Sequence, residues 1–241
     1  MQSNGNSEPI PLSLSIVIMA YNEVENIGFV LEEIDREVKR TGRRFEILVV
    51  DDGSTDGTGA WADHWAQEEE ARRVIHHETN LGIGQVLSTG FHAAQNDLVT
   101  IFPADGQFPA DIIGQFLPYM EEHDLVLGYV PNRVSPLMAK ILSRCERLLL
   151  DVLFGRLPHF QGIYMFRRSL LDAFPLTSTG RGWIIQMELI IRTKKSGHRL
   201  ISVPTTMRKR LSGHSKARNL RSVIANMKQV IQLYWRLTWS K

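Results

Sequence analysis

The chain has 241 residues, 43% of them apolar, which is enough to bury the core of one sizeable domain. Its single cysteine excludes an internal disulfide and fits a reducing compartment. No apolar run is long enough to cross a bilayer, and the polar stretch Met1–Pro11 lacks the apolar centre of a signal peptide. We expect residues 1–11 to form a disordered lead-in.

The net charge of +2 conceals a strong asymmetry along the chain. All 26 acidic residues lie at or before Glu188, whereas 13 of the 28 lysines and arginines follow it. A basic C-terminal block on an acidic body indicates an anionic partner: a phosphate, a lipid head group or a nucleic acid. The alternative is a solvated charged surface. Nucleic acid is the weaker choice, because no aromatic residue that could stack on bases occurs in this block before Tyr234 and Trp235.

The first half of the chain alternates short apolar segments with longer amphipathic ones. The pattern predicts strands at Leu14–Met19, Glu46–Val50, Arg73–His77 and Leu98–Phe102. It predicts helices near Glu25–Thr41, at Thr58–Glu70 and at Gly84–Gln95. This alternation is typical of a parallel sheet with right-handed crossovers.

The second half is less regular. Pro109 suits the first turn of a helix that runs through Glu122. Further helices are predicted at Met138–Phe154, Ile184–Lys195 and Asn219–Trp239. Further strands are predicted at Leu125–Gly128, Gly162–Phe166 and Leu200–Val203. No repeat or linker interrupts the chain, so we expect one domain.

Two carboxylates directly follow the second predicted strand. In an open α/β sheet, ligands bind beyond the carboxyl ends of the strands. Because an unpartnered buried carboxylate is very costly, we expect Asp51 and Asp52 to face a ligand that offers donors or a cation. The structural alternative is a helix cap from Ser54 or Asp56. We expect Asp56 to cap the helix and the Asp51–Asp52 pair to bind.

A second acidic turn follows the strand that ends at Phe102. Asp105 and Gln107 are two residues apart, so their side-chain oxygens could face one hard cation. Mg²⁺ or Mn²⁺ accepts few protein ligands and fills its remaining positions with water and substrate phosphates. The turn alone is a weak signal for a metal site.

Five motifs occur in the order found in family 2 glycosyltransferases of the GT-A fold, and residues 12–217 resemble that family. The motifs are Ala20-Tyr21-Asn22-Glu23, Val50-Asp51-Asp52-Gly53-Ser54-x-Asp56, Asn80-x-Gly82-x-Gly84, Ala104-Asp105-Gly106-Gln107 and Arg210-x-x-Gly213-x-Ser215-Lys216. The resemblance implies a Rossmann-like α/β fold with a mixed, mainly parallel sheet flanked by helices. It implies a nucleotide-sugar half at about 12–108 and an acceptor half at about 109–217, followed by an amphipathic helix at 218–241.

The same resemblance assigns roles to individual residues. Nucleotide binding is assigned to Ala20, Tyr21, Glu23, Asp51, Asp52, Asn80, Gly82 and Asp105. Acceptor and phosphate binding is assigned to Arg133, Arg210, Gly213, Ser215 and Lys216, with Arg167 and Arg168 as further candidates. The implied catalytic residues are Asp105, Arg210 and Lys216, and the implied ligands of the divalent cation are Asp105 and Gln107.

The last motif points to synthases of the dolichyl-phosphate mannose type. These transfer a sugar, here mannose or glucose, from a nucleotide-diphosphate sugar to a polyprenyl (dolichyl or undecaprenyl) phosphate, with inversion and with a metal. A lipid phosphate is already an anion near neutral pH and needs no general base. If the acceptor is instead a sugar hydroxyl, Glu188 is the candidate base. Glu188 could also be a structural partner of an arginine.

The chain departs from the family pattern at three places. Pro103 stands where the family usually has an acid, Ile83 where it often has a lysine or arginine, and Pro158–Ile163 where it often has an acid. A catalytically weak nucleotide-sugar-binding protein is therefore a second alternative.

The predicted last helix has an apolar side that ends in Tyr234 and Trp235, and basic residues flank that side. Such a helix is typical of the membrane interface, although an ordinary core helix shows the same pattern. We expect a peripheral protein at the cytoplasmic face of a membrane, with an integral-membrane partner left open.

Overall fold

The computed structural model describes residues 11–131, 137–178, 180–211 and 220–239. Within these ranges the side chains of 137–143, 145–146, 220–226 and 239 are not described. The predicted lead-in at 1–11 therefore falls almost wholly outside the described residues.

One seven-stranded sheet, in the order β3-β2-β1-β4-β6-β5-β7, organises the molecule. Its strands are β1 Leu14–Ala20, β2 Phe45–Asp51, β3 Arg72–His76, β4 Leu98–Pro103, β5 Leu125–Tyr129, β6 Tyr164–Arg167 and β7 Leu200–Pro204. Only β6 runs antiparallel to its neighbours β4 and β5. The carboxyl ends of the other six strands therefore lie at one edge, where an open α/β sheet binds ligands.

Helices cover both faces of the sheet. They are α1 Ile27–Arg40, α2 Thr58–Ala66, α3 Ile83–Ala93, α4 Ile112–Phe116, α5 Leu137–Phe154, α6 Ser169–Ala173, α7 Ile184–Lys195 and α8 Leu220–Trp239. A 3₁₀ helix, Leu117–Glu121, follows α4 directly. None of these helices, within the described residues, is long and apolar enough to span a membrane.

The core consists of two apolar layers, because successive side chains of a strand point to opposite faces. Ile16 and Ile18 of β1 pack into the layer under α1, whereas Val17 packs into the layer under α3 and α7. All three are fully buried. Strands β1 and β2 are apolar on both faces because each face packs against one of these layers, as expected for a parallel sheet covered on both sides.

The structure corrects the predicted elements at three points. The single helix predicted from Pro109 to Glu122 is instead α4 followed by the 3₁₀ turn, because Pro118 has no backbone N–H with which to continue an α-helix. The predicted strand at Gly162–Phe166 begins only at Tyr164. The short helix α6 was not predicted. The predicted mixed, mainly parallel GT-A architecture is confirmed.

Candidate active site at the carboxyl edge of the sheet

The loops after β1 and β2 hold each other in place. Asn22 lies in the left-handed region at φ 52°, so its amide and side chain both reach the second loop. Its N–H donates to Ser54 Oγ at 2.9 Å, and its Oδ1 accepts from the Thr55 amide at 2.8 Å. The Ala20 carbonyl accepts from the Asp52 amide at 2.9 Å. Predicted nucleotide-binding residues of both loops are thereby fixed relative to each other.

Asp52 is buried, with 3% of its surface exposed. Its carboxylate binds the loop that follows β3. Oδ1 accepts from the Leu81 amide at 2.9 Å and contacts His77 Nδ1 at 2.8 Å. Oδ2 accepts from Asn80 Nδ2 at 2.9 Å and from the Gly82 amide at 2.8 Å.

Four protein partners occupy the four acceptor positions of a carboxylate. This differs from the expectation that Asp52 faces a ligand, because the loop after β3 already supplies its donors. Asp52 therefore fixes that loop, and its nucleotide-binding role stays a prediction.

Asp51 is also buried, and it has two protein partners. Oδ1 accepts from the Ser54 amide at 3.1 Å, and Oδ2 contacts His76 Nδ1 at 3.0 Å. The predicted cap, Asp56, binds the first amide of α2, that of Thr58, at 3.0 Å. It does so from the residue before the N-cap, which is Gly57.

The loop after β3 packs against the loop at 180–182, which was not predicted to contribute to the site. Arg181 donates to the Asn80 backbone carbonyl at 2.6 Å and also to Asn80 Oδ1. A Cβ at Gly82 would meet the Arg181 backbone, and a Cβ at Gly84 would overlap the carbonyl oxygens of Gly180 and Gly182. The two glycines of the Asn-x-Gly-x-Gly motif therefore let the 180–182 loop approach the start of α3.

Three predicted residues that are far apart in sequence meet at the turn after β4. Arg210 donates to Asp105 Oδ2 at 3.3 Å and forms an ion pair with Glu23. Burial raises the pKa of the Asp105 carboxyl, and Glu23 adds to this effect, while Gln107 and Arg210 oppose it; the net shift is upward. The side chains of Glu23, Asp105 and Arg210 thus form one half-buried charged cluster.

The segment 205–211, which follows β7, crosses this turn. The Arg208 amide donates to the Gln107 carbonyl at 2.7 Å, and the Arg208 side chain pairs with Glu33 of α1. A Cβ at Gly106 would collide with the Leu211 side chain. The segment therefore brings Arg210 over the turn that contains Asp105 and Gln107.

The donor chemistry of this turn fits a hard divalent cation. A carboxylate and an amide oxygen are ligands that Mg²⁺ and Mn²⁺ accept. The described residues contain no group of three or more His, Cys, Asp or Glu side chains that could hold an ion. An ion here would need further ligands from substrate and water.

Glu188 is fully buried, and its carboxylate organises the loop before α7. It accepts from the Ser178 amide at 2.7 Å, from the Thr177 amide at 3.1 Å and from Arg192 Nε at 2.8 Å. These bonds lower its pKa despite the opposing effect of burial. The structural alternative for Glu188 is therefore correct, and a general-base role is not supported.

A cavity of about 390 Å³ lies between the end of β5, α5 and the first turns of α7. Its apolar wall consists of Val130, Leu150, Leu157, Pro158, Phe160, Trp183, Met187 and Ile190, and its polar side chains are Tyr129, Arg147, His159, Gln161 and Gln186. No carboxylate is among these described lining residues. The Phe108 ring packs against Gly162, next to Gln161, so the cavity adjoins the turn that contains Asp105.

The remaining arginine predictions have different outcomes. Arg167 donates to the Met120 carbonyl at 2.6 Å, and Arg168 lies 3.8 Å from Asp172. Arg167 pairs with Leu98, the first residue of β4, and Arg168 follows it, so both lie at the opposite edge of the sheet, which contradicts an acceptor role. Arg133, Gly213, Ser215 and Lys216 lie outside the described residues, and their roles stay predictions.

Helix α8 both closes the core and presents an apolar surface. Val230 and Leu233 are buried, whereas Ile231 is 43% and Trp235 is 56% exposed. Arg236 donates to the Thr177 carbonyl at 2.9 Å, which ties α8 to the loop that Glu188 holds. The core-helix interpretation is confirmed for the buried side, and the membrane interpretation of the exposed side stays a prediction.

Comparisons with known proteins identify the family of the chain. The family model described as "Glycosyl transferase family 2" matches residues 15–174 of this chain. The undecaprenyl-phosphate mannosyltransferase of Micrococcus luteus is 30% identical over 211 residues, covering 83% of this chain and 85% of that protein. The polyprenol monophosphomannose synthase of Mycolicibacterium smegmatis is 29% identical over 214 residues, covering 83% and 79%.

Solved structures share the fold at lower identity. Mannosyl-3-phosphoglycerate synthase from Rubrobacter xylanophilus superposes with a TM-score of 0.70 at 20% identity, over 95% of this chain and 75% of that one. Glucosyl-3-phosphoglycerate synthase from Mycobacterium tuberculosis, in complex with Mn²⁺, UDP and phosphoglyceric acid, gives 0.69 at 23% identity, over 93% and 78%. The family match, the first relative and the shared fold lead to one conclusion: the chain is a glycosyltransferase that belongs to glycosyl transferase family 2.

Proposed function

We propose that this enzyme transfers a hexose, with mannose as the first choice, from a nucleotide-diphosphate sugar to a polyprenyl phosphate. The acceptor phosphate oxygen attacks the anomeric carbon and forms a new C–O bond. The bond from that carbon to the diphosphate breaks, and the nucleoside diphosphate leaves, so the configuration inverts. The names of the two relatives from Micrococcus luteus and Mycolicibacterium smegmatis support this acceptor class.

The observation that carries the proposal is the cavity beside the Asp105 turn. Its described lining has an apolar wall and no carboxylate, and Glu188 is buried and fully engaged nearby. A sugar-hydroxyl acceptor requires a general base, and the described lining offers no carboxylate for that role. A phosphate acceptor requires none, because it is already an anion. An apolar wall also suits the first isoprene units of a lipid better than it suits a sugar.

The donor would lie on the interlocked loops after β1, β2 and β3. The loops are held by internal hydrogen bonds to Asp51, Asp52 and Asn22, so little rearrangement is needed when a nucleotide binds. Arg210 would hold phosphate oxygens by charge-assisted hydrogen bonds. In this conformation its guanidinium pairs with Glu23 and Asp105, so the segment 205–211 is already positioned over the site.

A divalent cation completes the proposal, held by Asp105 and Gln107. The Mn²⁺ complex of the glucosyl-3-phosphoglycerate synthase supports a divalent cation, and the choice of Asp105 and Gln107 rests on their side-chain oxygens. When bound, the ion would act as a Lewis acid that offsets the charge gained by the leaving diphosphate. Pro103 in place of an acid removes one ligand, so we expect weaker metal affinity than in relatives with two acids.

We place the enzyme at the cytoplasmic face of a membrane, as a peripheral protein. The exposed Ile231 and Trp235 on α8, together with the exposed Lys228, support this location. Replacing Ile231 and Trp235 with glutamate should abolish binding to anionic liposomes at low salt. Gln232→Glu on the same helix is the matched control, because it adds charge without removing apolar surface. Unchanged liposome binding in the double variant would contradict the location.

The central test is transfer of radiolabelled sugar into an extractable lipid phase. Uridine and guanosine diphosphate sugars are scanned with polyprenyl phosphate and, separately, with soluble sugar acceptors. Arg210→Ala should reduce transfer at least a hundredfold, whereas Arg168→Ala, at the opposite sheet edge, should not. Product formed only on soluble hydroxyl acceptors would overturn the proposal.

A further inference from the structure

Two adjacent histidines at the end of β3 each contact one of the paired carboxylates at the end of β2. His76 Nδ1 lies 3.0 Å from Asp51 Oδ2, and His77 Nδ1 lies 2.8 Å from Asp52 Oδ1. In the sequence these histidines are the last two residues of the predicted strand Arg73–His77. Their positions relate them to the nucleotide loops.

The parallel register explains this arrangement. Asp51 is directly opposite His76 in the β2–β3 ladder, and successive side chains point to opposite faces. His76 and Asp51 therefore face α2, whereas His77 and Asp52 face α3. The second nitrogen of His77 reaches Thr89 of α3 at 2.9 Å, and that of His76 reaches Asp63 of α2 at 2.9 Å. Each histidine thus ties one carboxylate to one covering helix.

The two histidines differ in charge environment. A neutral His77 satisfies both of its contacts, since it donates from Nδ1 to Asp52 and accepts at Nε2 from the Thr89 hydroxyl. His76 lies between two carboxylates, so both of its nitrogens must carry a proton to donate to both. Asp63 raises the pKa of His76, burial opposes this, and Asp51 adds to the upward shift. Its side chain is 42% exposed and that of Asp63 is 52% exposed, so the ring can exchange protons with solvent.

We propose that His76 is a positioning residue for the nucleotide site: as an imidazolium it ties Asp51 to α2, and nucleotide binding weakens when the ring loses its proton. This inference rests on the proposed function, because it takes the loops after β1, β2 and β3 to be where the nucleotide binds.

The contacts of Asp51 show how the effect would reach the site. Asp51 holds the Ser54 amide, and the Ser54 hydroxyl holds the Asn22 amide of the neighbouring loop. A neutral His76 keeps one N–H, which the buried Asp51 retains because an unpaired buried carboxylate costs more than an exposed one. The hydrogen bond to Asp63 is then lost, and with it the tie between Asp51 and α2.

The test measures the affinity of the bare nucleoside diphosphate by calorimetry, from below to above the pKa of His76 determined by NMR. The wild-type dissociation constant should rise roughly three- to tenfold as the ring deprotonates. Asp63→Asn should remove this dependence while keeping affinity, because the asparagine amide can donate to a neutral ring. His76→Phe should bind weakly at every pH. His92→Gln, on the exposed surface of α3, is the control and should keep the wild-type profile.

Thermal melting of each variant shows whether a loss of affinity reflects unfolding. Asp63 is exposed, so Asp63→Asn should remain folded. This variant therefore decides the test even if His76→Phe does not fold. A wild-type pH profile in Asp63→Asn would overturn the role of His76. No nucleotide binding by the wild type at any pH would overturn the proposed function, and this inference with it.

Discussion

Arg210 donates a hydrogen bond to the carboxylate of Asp105 across 3.3 Å, although the two residues are 105 positions apart in the chain. The contact forms because the segment after β7 crosses the sheet edge and packs on the turn after β4. Arg210 also pairs with Glu23, so one guanidinium links three loops of the site. The cluster contains two carboxylates and one guanidinium, and Asp105 is the carboxylate proposed to bind the cation.

Removing the Asp105 carboxylate should separate metal binding from nucleotide binding. In the wild type, Mn²⁺ or Mg²⁺ should tighten nucleotide binding, because the ion links the Asp105 turn to the diphosphate. Asp105→Asn should lose this tightening and turnover while still binding nucleotide. Calorimetry with and without the cation measures both. Glu33→Gln, which removes the nearby partner of Arg208, is the matched control; equal metal dependence in Asp105→Asn and the control would refute the assignment.

Asp52 should stabilise the fold as well as the site. Replacing it with alanine leaves the partly buried donors of Asn80, Leu81 and Gly82 without their acceptor. We expect a loss of roughly 2–4 kcal/mol in the free energy of unfolding, together with weaker nucleotide binding. Urea denaturation measures the first effect. Asp172→Ala, at an exposed ion pair of 3.8 Å, should change stability by less than about 0.5 kcal/mol. A fully stable Asp52→Ala that binds nucleotide poorly would instead indicate direct contact with the base.

Glu188→Gln should lower stability in a pH-dependent manner. The folded-state pKa of Glu188 lies below the ordinary value of 4.5, so the ionised carboxylate stabilises the fold above that pH. This contribution is lost as the pH falls through the lowered pKa. We expect the variant to be less stable by roughly 1–3 kcal/mol at pH 7, and the difference to shrink in acid.

The same variant tests the base hypothesis. Turnover per folded molecule should fall far less than the hundredfold or more that loss of a general base causes. A loss of that size without a loss of stability would restore Glu188 as the base.

Gly84→Ala should displace the 180–182 loop. Its Cβ would overlap the carbonyl oxygens of Gly180 and Gly182, which are backbone atoms that cannot rotate away. We expect destabilisation and weaker nucleotide binding, although alanine is the better helix former. Gly114→Ala in α4 meets only the flexible end of Glu37 and should change stability by less than about 1 kcal/mol. Amide hydrogen exchange of the Arg181 loop should increase in Gly84→Ala alone; unchanged exchange would refute the packing role of Gly84.

Much of the fold followed from local pattern. Helix α7 has the predicted bounds, Ile184–Lys195, and the four parallel strands of the first half differ from prediction by one or two residues at their ends. Apolar periodicity and turn residues determine these elements, because each depends on neighbours within one segment. The end of α4 at Phe116 was not predicted, because a proline such as Pro118 either kinks or ends an α-helix. Which of the two occurs depends on the packing around the helix.

The sequence by itself identified the candidate residues for the chemistry: the acids after β2 and β4, and the arginine after β7. Only the tertiary structure decided how those groups are used. Asp52 receives its donors from residues 25 to 30 positions later, and Glu188 receives most of its donors from a loop before its own helix. A carboxylate has a limited number of acceptor positions, and the strands and loops that surround it determine whether protein or substrate occupies them. The same packing forms the cavity from β5, α5 and α7, which no local pattern brings together.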